Sequence, residues 1–108
     1  MRTKKYLPLE PNSSATHLKV EVYYSKGGMN YFTSSNEKRG IYLSVSPVTR
    51  SDRSEEYMGF SGIKKHLVDM ARFSQKTFDN FVVSPETEKE SIDYVCAKNG
   101  IKVLEVTE

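Results

Sequence analysis

The chain has 108 residues, of which 37% are hydrophobic and 28% are charged, and its formal net charge is +2. This length suits a single folded domain and is too short for two separate hydrophobic cores. The composition excludes general disorder, and no apolar run reaches the roughly 18 residues that a membrane-spanning helix needs. A single cysteine, Cys96, excludes an internal disulfide and favours a cytoplasmic protein.

Residues 1–16 are predicted to form a flexible tail ahead of the single domain, which spans residues 17–108. Two prolines and a run of asparagine and serine interrupt any hydrophobic period in this segment. Leu7 and Leu9 are apolar side chains that could attach the tail to the domain. No alternating or helical pattern connects them to the rest of the chain.

Alternating hydrophobic and polar residues predict three to four antiparallel strands in the first part of the domain. The predicted strands cover residues 17–24, 29–33, 41–48 and 55–60. Gly27 and Gly28 predict a hairpin turn between the first two strands, with a positive φ at Gly28 that only glycine adopts without strain. The connections are too short for parallel crossovers, so the strands are expected to form an antiparallel meander.

Helical spacing replaces alternation after this region. Ile63 and Leu67 begin an apolar stripe that predicts one helix or two over residues 62–82. Ser84 then predicts a second start, since a capping hydroxyl is followed by a proline and by carboxylates that suit the positive end of the helix dipole. Gly100 is expected to end that helix.

The order of these elements defines the predicted fold class. Residues 101–106 alternate again and predict a last strand. The sequence therefore predicts an α+β fold: an antiparallel β-meander of three to four strands, two to three helices packed on one face, and a C-terminal strand.

Catalytic and metal-binding residues are few. His66 and Asp69 lie three positions apart on the predicted helix, but no serine or cysteine nucleophile is linked to them by the pattern. Cys96 falls on the apolar side of the last helix, where a buried thiol is inert. The two histidines, His17 and His66, are too far apart in sequence to form a short metal-ligand motif. We therefore expect no enzymatic activity, no metal and no cofactor.

A basic, tyrosine-rich surface is the remaining functional signal. Residues 1–76 carry 13 Lys and Arg against 7 Asp and Glu, and six of the seven tyrosines lie there. Bases stack on aromatic rings while cations hold the phosphates, and tyrosine and arginine also concentrate in protein interfaces. The candidate binding residues on the outward side of the predicted sheet and its loops are Lys19, Tyr23, Lys26, Tyr31, Lys38, Arg39, Tyr42 and Arg50.

Two stretches of the sequence, residues 23–32 and 39–47, resemble a pattern found in short uncharacterised proteins of bacterial phages and mobile elements. The first reads YYSKGGMNYF and the second reads RGIYLSVSP. That family has no established activity, so the resemblance implies no site residues. It implies an accessory protein that acts by binding host or phage macromolecules.

The sequence favours a small non-enzymatic binding or regulatory module that acts through protein–protein contacts. The alternative is a nucleic-acid-binding protein that uses the basic, tyrosine-bearing sheet face. The expected partner is another protein, with a nucleic acid or a second copy of the chain as the alternatives. We expect no association with a membrane.

Overall fold

The computed structural model describes residues 2–11, 13–30, 35–51, 54–57, 62–69 and 75–104. Within these ranges lie seven strands and two helices. They are β1 (Arg2–Pro8), β2 (His17–Ser25), β3 (Gly28–Asn30), β4 (Ser35–Glu37), β5 (Gly40–Arg50), β6 (Glu55–Tyr57), β7 (Ile63–Asp69), α1 (Gln75–Asp79) and α2 (Pro85–Asn99).

Five of the strands form one curled antiparallel sheet with the long strand β5 at its centre. β2 pairs with one edge of β5, and β1 pairs with the far edge of β2. The other edge of β5 takes two strands in succession: β7 pairs with residues 40–45 and β6 with residues 48–50. β5 therefore connects every part of the sheet.

The hydrophobic core lies on one face of this sheet, where alternate residues of β2 and β5 point toward α2. Leu18 and Val20 of β2 and Leu43 and Val45 of β5 are buried there together with Val95 of α2. Successive residues of a strand point to opposite faces, so the residues between them are committed to the other side. We call the side toward α2 the inner face and the opposite side the outer face.

The helix α2 begins and ends where the sequence predicts. The Ser84 hydroxyl accepts a hydrogen bond from the Thr87 amide at 3.2 Å, and Pro85 follows as the first helical residue. Gly100 ends the helix with φ at 64°, and its amide donates to the Cys96 carbonyl. These signals are local in sequence, and the prediction that rests on them is confirmed.

The predicted flexible tail is wrong, because residues 2–8 form an edge strand of the sheet. β1 pairs with β2 along its whole length. Leu9 continues into the core and bridges Val103, and Lys5 forms an ion pair with Glu88 of α2. The segment has little hydrophobic pattern of its own, and its order comes from pairing with β2 and packing against distant residues.

The predicted helix over residues 62–82 is also wrong, since its first part is the strand β7. Ile63 and Leu67 are four residues apart, a spacing that puts side chains on one face of either a helix or a strand. β7 pairs with β5 through an irregular register between Ile41 and Tyr42. This pairing, which the local sequence does not encode, decides the structure. Residues 70–74 lie outside the described residues.

The predicted α+β class, with two to three helices packed on one face, is wrong, because the fold is dominated by strands. Strands take 50% of the described residues and helices 23%, so the molecule is mostly one curled antiparallel sheet. α1 has five residues and contributes Phe78, which packs on Ile41, while α2 packs on the main core. The predicted C-terminal strand is represented by the bridge of Val103 to Leu9, and residues 105–106 lie outside the described ranges.

A two-stranded extension of the sheet replaces the predicted hairpin at Gly27 and Gly28. β2 pairs with β5 instead of with the next strand, and β3 pairs with β4 beyond the end of that ladder. Gly28 has φ at 112°, which confirms the predicted positive φ. The residue does not form a hairpin turn, however, since it lies between the end of the β2–β5 ladder and the β3–β4 ladder. The rest of the predicted second strand, residues 31–33, is outside the described residues. We call the β3–β4 pair the arm.

Candidate functional site

The outer face carries polar and aromatic side chains in two clusters. The antiparallel register brings Tyr6 opposite Lys19 near one end, and Tyr23 opposite Tyr42 near the other. Lys19 and its neighbour on the same face, Glu21, are each only 7% exposed. Charged residues this deeply buried need compensating partners.

The first cluster, which we call the Glu55 cluster, consists of Tyr6, Lys19, Arg50 and Glu55. The Lys19 ammonium donates to one carboxylate oxygen of Glu55 at 2.7 Å, and the Tyr6 hydroxyl donates to the other. The Arg50 guanidinium lies over the Tyr6 ring, 3.9 Å from its centre. These contacts join β1, β2 and β5 to β6, so they hold four strands together.

The ionisation of this cluster follows from its contacts. Burial by itself would raise the pKa of the Glu55 carboxyl, but the hydrogen bonds from Lys19 and Tyr6 and the charge of Lys19 outweigh burial and lower that pKa. The hydrogen bond to Glu55 raises the pKa of the Tyr6 phenol, and its burial acts in the same direction. Glu55 is therefore held as a carboxylate and Tyr6 as a neutral donor.

We expect Glu55→Gln to lower the free energy of unfolding by about 1–3 kcal/mol at about pH 7, because Lys19 loses the charge that compensates its burial. The folded pKa of Glu55 lies below its unfolded value, so this contribution is complete above the unfolded pKa of about 4.3 and is lost as the pH falls through the folded pKa. Denaturant unfolding at about pH 7 and about pH 3 measures both effects, and the gap between variant and wild type should narrow at the lower pH.

The adjacent Glu56→Gln provides the control for this substitution. Glu56 is exposed in the same strand, and we expect its substitution to stay within about 0.5 kcal/mol of wild type. Equal losses in the two variants would contradict the role assigned to the Glu55 cluster.

The second cluster, the Tyr42 cluster, consists of the adjoining rings of Tyr23, Tyr42 and His66, with Lys64 over the first two. Tyr23 and Tyr42 are stacked with their ring centroids 5.7 Å apart. His66 pairs with Tyr42 from the opposite neighbouring strand, β7, and its ring centroid lies 4.9 Å from that of Tyr42. The Lys64 ammonium lies 5.4 Å from the centre of the Tyr23 ring and 5.1 Å from that of Tyr42. The Tyr42 hydroxyl donates to the Lys38 carbonyl at 2.6 Å.

Tyr42 is consequently part of the packed protein. It is 7% exposed, and burial raises the pKa of its phenol, with the charge of Asp69 acting in the same direction. Tyr42 lies on the face away from the core, as the alternation in β5 predicts, and its ring is covered there. Its neighbours cover the ring that a base would need for stacking.

Exposed cations lie where the main sheet passes into the arm. The side chains of Lys26, Lys38 and Arg39 are exposed there, and the Arg39 Nε donates to the Tyr24 hydroxyl at 2.8 Å. Met29, in the arm itself, is 50% exposed. The positive charge of the predicted site is therefore most accessible at the base of the arm.

The eight predicted site residues separate into three groups. Lys19 and Tyr42 are buried, and Tyr23 is half-buried in the Tyr42 stack. Lys26, Lys38 and Arg39 lie together at the base of the arm, and Arg50 is exposed beside Tyr6 at the opposite end of β5. Tyr31 lies outside the described residues.

The sequence interpretation missed the residues that occupy this face. Glu55 and Glu37 pair with lysines from other strands, and Tyr6 and His66 complete the two clusters. Their charge and aromatic character are visible in the sequence. Their grouping depends on the strand register, which a single sequence does not give.

Candidate metal ligands and the single cysteine are the remaining chemical groups of the described part of the chain. There, no three His, Cys, Asp or Glu side chains are placed to hold a metal ion. Burial raises the pKa of the Cys96 thiol, and the charge of Asp93 adds to that effect, so the thiol is not activated as a nucleophile. None of the helices in the same ranges combines the length and the apolar character needed to cross a membrane.

Comparisons of the chain with protein-family models, with curated proteins and with solved structures give no match. The resemblance to short phage and mobile-element proteins stays a prediction.

Proposed function

We propose that the chain is a small non-enzymatic binding module and that it contacts another protein through the arm. The observation that carries this proposal is the position of β3 and β4, which pair with each other beyond the main sheet and present Met29 half-exposed. Methionine, aromatic residues and arginine are enriched in protein interfaces, where an apolar centre is surrounded by polar groups.

The charge at the base of the arm supports a partner with an acidic surface. Lys26, Lys38 and Arg39 are exposed there. Two described carboxylates lie in the same region: Glu37, in an ion pair with Lys64, and Asp69, which pairs with Gly40 at the end of β7. The three cations lie beside the apolar side chain of Met29. A partner surface with an apolar centre and acidic residues around it complements this arrangement.

A nucleic acid is the less favoured partner. Single-strand platforms combine open aromatic rings with accessible cations. On the outer face of this sheet Tyr42 is covered, and the charge of Lys19 is compensated by Glu55. The cations at the base of the arm can still attract phosphates, so binding of nucleic acid is a distinct outcome of the test.

Met29→Asp tests the proposal, with Val82→Asp as the matched control. Val82 is 82% exposed and precedes α2, so both substitutions place a carboxylate at an exposed apolar position. Proteins retained from a bacterial lysate by the wild-type chain are identified, purified and titrated against all three forms. We expect Met29→Asp to weaken binding about tenfold or more and Val82→Asp to leave it unchanged.

Two results would contradict the proposal. Equal affinity of Met29→Asp and wild type would remove the arm from the interface. Binding of a mixed-sequence single-stranded oligonucleotide, with an affinity that falls linearly in log salt, would favour the nucleic-acid alternative. Melting curves of both variants should match wild type, which separates a lost contact from a lost fold.

A further inference from the structure

The arm joins the main sheet through a joint of four residues. The β2–β5 ladder ends at the pair of Ser25 and Gly40, and the β3–β4 ladder begins at Gly28 and Glu37. Two residues in each chain segment separate the ladders: Lys26 and Gly27 on one side, Lys38 and Arg39 on the other. The continuous pairing that stiffens a β-ribbon is interrupted at this point.

The glycine side of the joint has a conformation that other residues resist. Gly27 has φ at 88° and Gly28 has φ at 112°, both in the region that favours glycine. A Cβ atom at Gly27 would lie 3.3 Å from the Arg39 amide nitrogen, whereas one at Gly28 would meet open space. Two successive glycines can absorb a change of backbone angle that other residues could not.

An ion pair between described residues connects the arm to the sheet across this joint. Glu37, the last residue of β4, pairs with Lys64 of β7, and the side chains are 11% and 24% exposed. Lys64 is itself positioned over Tyr23 and Tyr42. Partly buried ion pairs of this kind are screened less by salt than surface pairs and are costly to break on one side.

We infer that the Glu37–Lys64 pair is a latch that fixes the direction of the arm, and that the arm turns about Gly27 and Gly28 when the pair is broken. The Tyr42 cluster supports the latch by holding Lys64 in place. The latch sets the orientation of the arm whether or not the arm binds a partner.

Amide hydrogen exchange of the full chain tests the latch. Glu37→Gln and Lys64→Gln each remove one charge while keeping a side chain of similar length. We expect the amides of β3 and β4 to exchange about tenfold faster or more in both variants, while the β2–β5 ladder keeps its wild-type protection. The adjacent and exposed Lys65→Gln is the control and should change neither region.

A distance measurement tests the turning. Spin labels at Met29→Cys and Glu56→Cys, in a Cys96→Ser background, report the separation of the arm from β6. We expect a single narrow distance distribution with Glu37 present and a broader one with Glu37→Gln.

Three results would overturn the inference. Unchanged exchange of the arm in both variants would show that the pair does not hold it. Faster exchange throughout the β2–β5 ladder would show that the pair stabilises the whole sheet and is not a latch for the arm. An equally narrow distance distribution in Glu37→Gln would show that the joint is rigid without the pair.

Discussion

Deleting residues 1–9 is expected to abolish the cooperative unfolding transition of the chain. The deletion removes β1, which pairs with β2 along its whole length, and it also removes Leu9 from the core and Tyr6 from the Glu55 cluster. Loss of one large buried side chain alone costs about 2–5 kcal/mol, against a total stability of about 5–15 kcal/mol for a domain. The sum of these losses approaches or exceeds the stability available.

Thermal unfolding followed by circular dichroism measures the result, and Thr3→Ala is the control. Thr3 is an exposed, uncharged residue of the same strand, so its substitution should stay within about 0.5 kcal/mol of wild type. A truncated chain that melts at the wild-type temperature would show that β1 is dispensable, which the pairing in the structure does not allow.

Tyr42→Ala is expected to lower the free energy of unfolding by about 3–5 kcal/mol, the range typical of a buried aromatic residue. The substitution removes the ring between Tyr23 and His66 and the hydroxyl that donates to the Lys38 carbonyl. It also leaves Lys64 without one of the two rings beneath it. Denaturant unfolding of the variant gives the loss directly.

Tyr42→Phe separates the contribution of the hydroxyl from that of the ring, and Tyr94→Ala is the control. Tyr42→Phe keeps the ring and loses the hydrogen bond, so a loss of about 0.5–1.5 kcal/mol is expected. Tyr94→Ala truncates the same residue type at a position that is 54% exposed in α2, and it should cost much less than Tyr42→Ala. Similar losses for Tyr42→Ala and Tyr94→Ala would mean that the Tyr42 ring is open to solvent.

The parts of the fold that the sequence predicts correctly are those encoded locally. Ser84 and Gly100 define the ends of α2 within a few residues of themselves. The alternation in β2 and β5 identifies both strands and their buried side chains. β1 and β7 are different, because β1 lacks a clear hydrophobic pattern and the spacing of Ile63 and Leu67 fits two structures. Pairing with β2 and β5 decides both cases, and pairing is not local.

The candidate site was predictable in composition and not in arrangement. Alternation correctly assigns Tyr23 and Tyr42 to the face opposite the core. It does not show that the two rings stack on each other, or that Glu55 takes up the charge of Lys19. Such groupings require residues from four strands to be placed in register. The number of basic residues in the sequence therefore does not tell how many positive charges remain accessible in the folded protein.

The bridge between Leu9 and Val103 has a consequence for synthesis on the ribosome. The inner face of the sheet is covered by α2, and the bridge that follows α2 ties the first strand to the last described residues. Most of the chain must leave the exit tunnel before these contacts can form, since contacts between distant residues close late and slow folding. The apolar side chains of β2 and β5 therefore stay uncovered until α2 and the residues after it have left the tunnel.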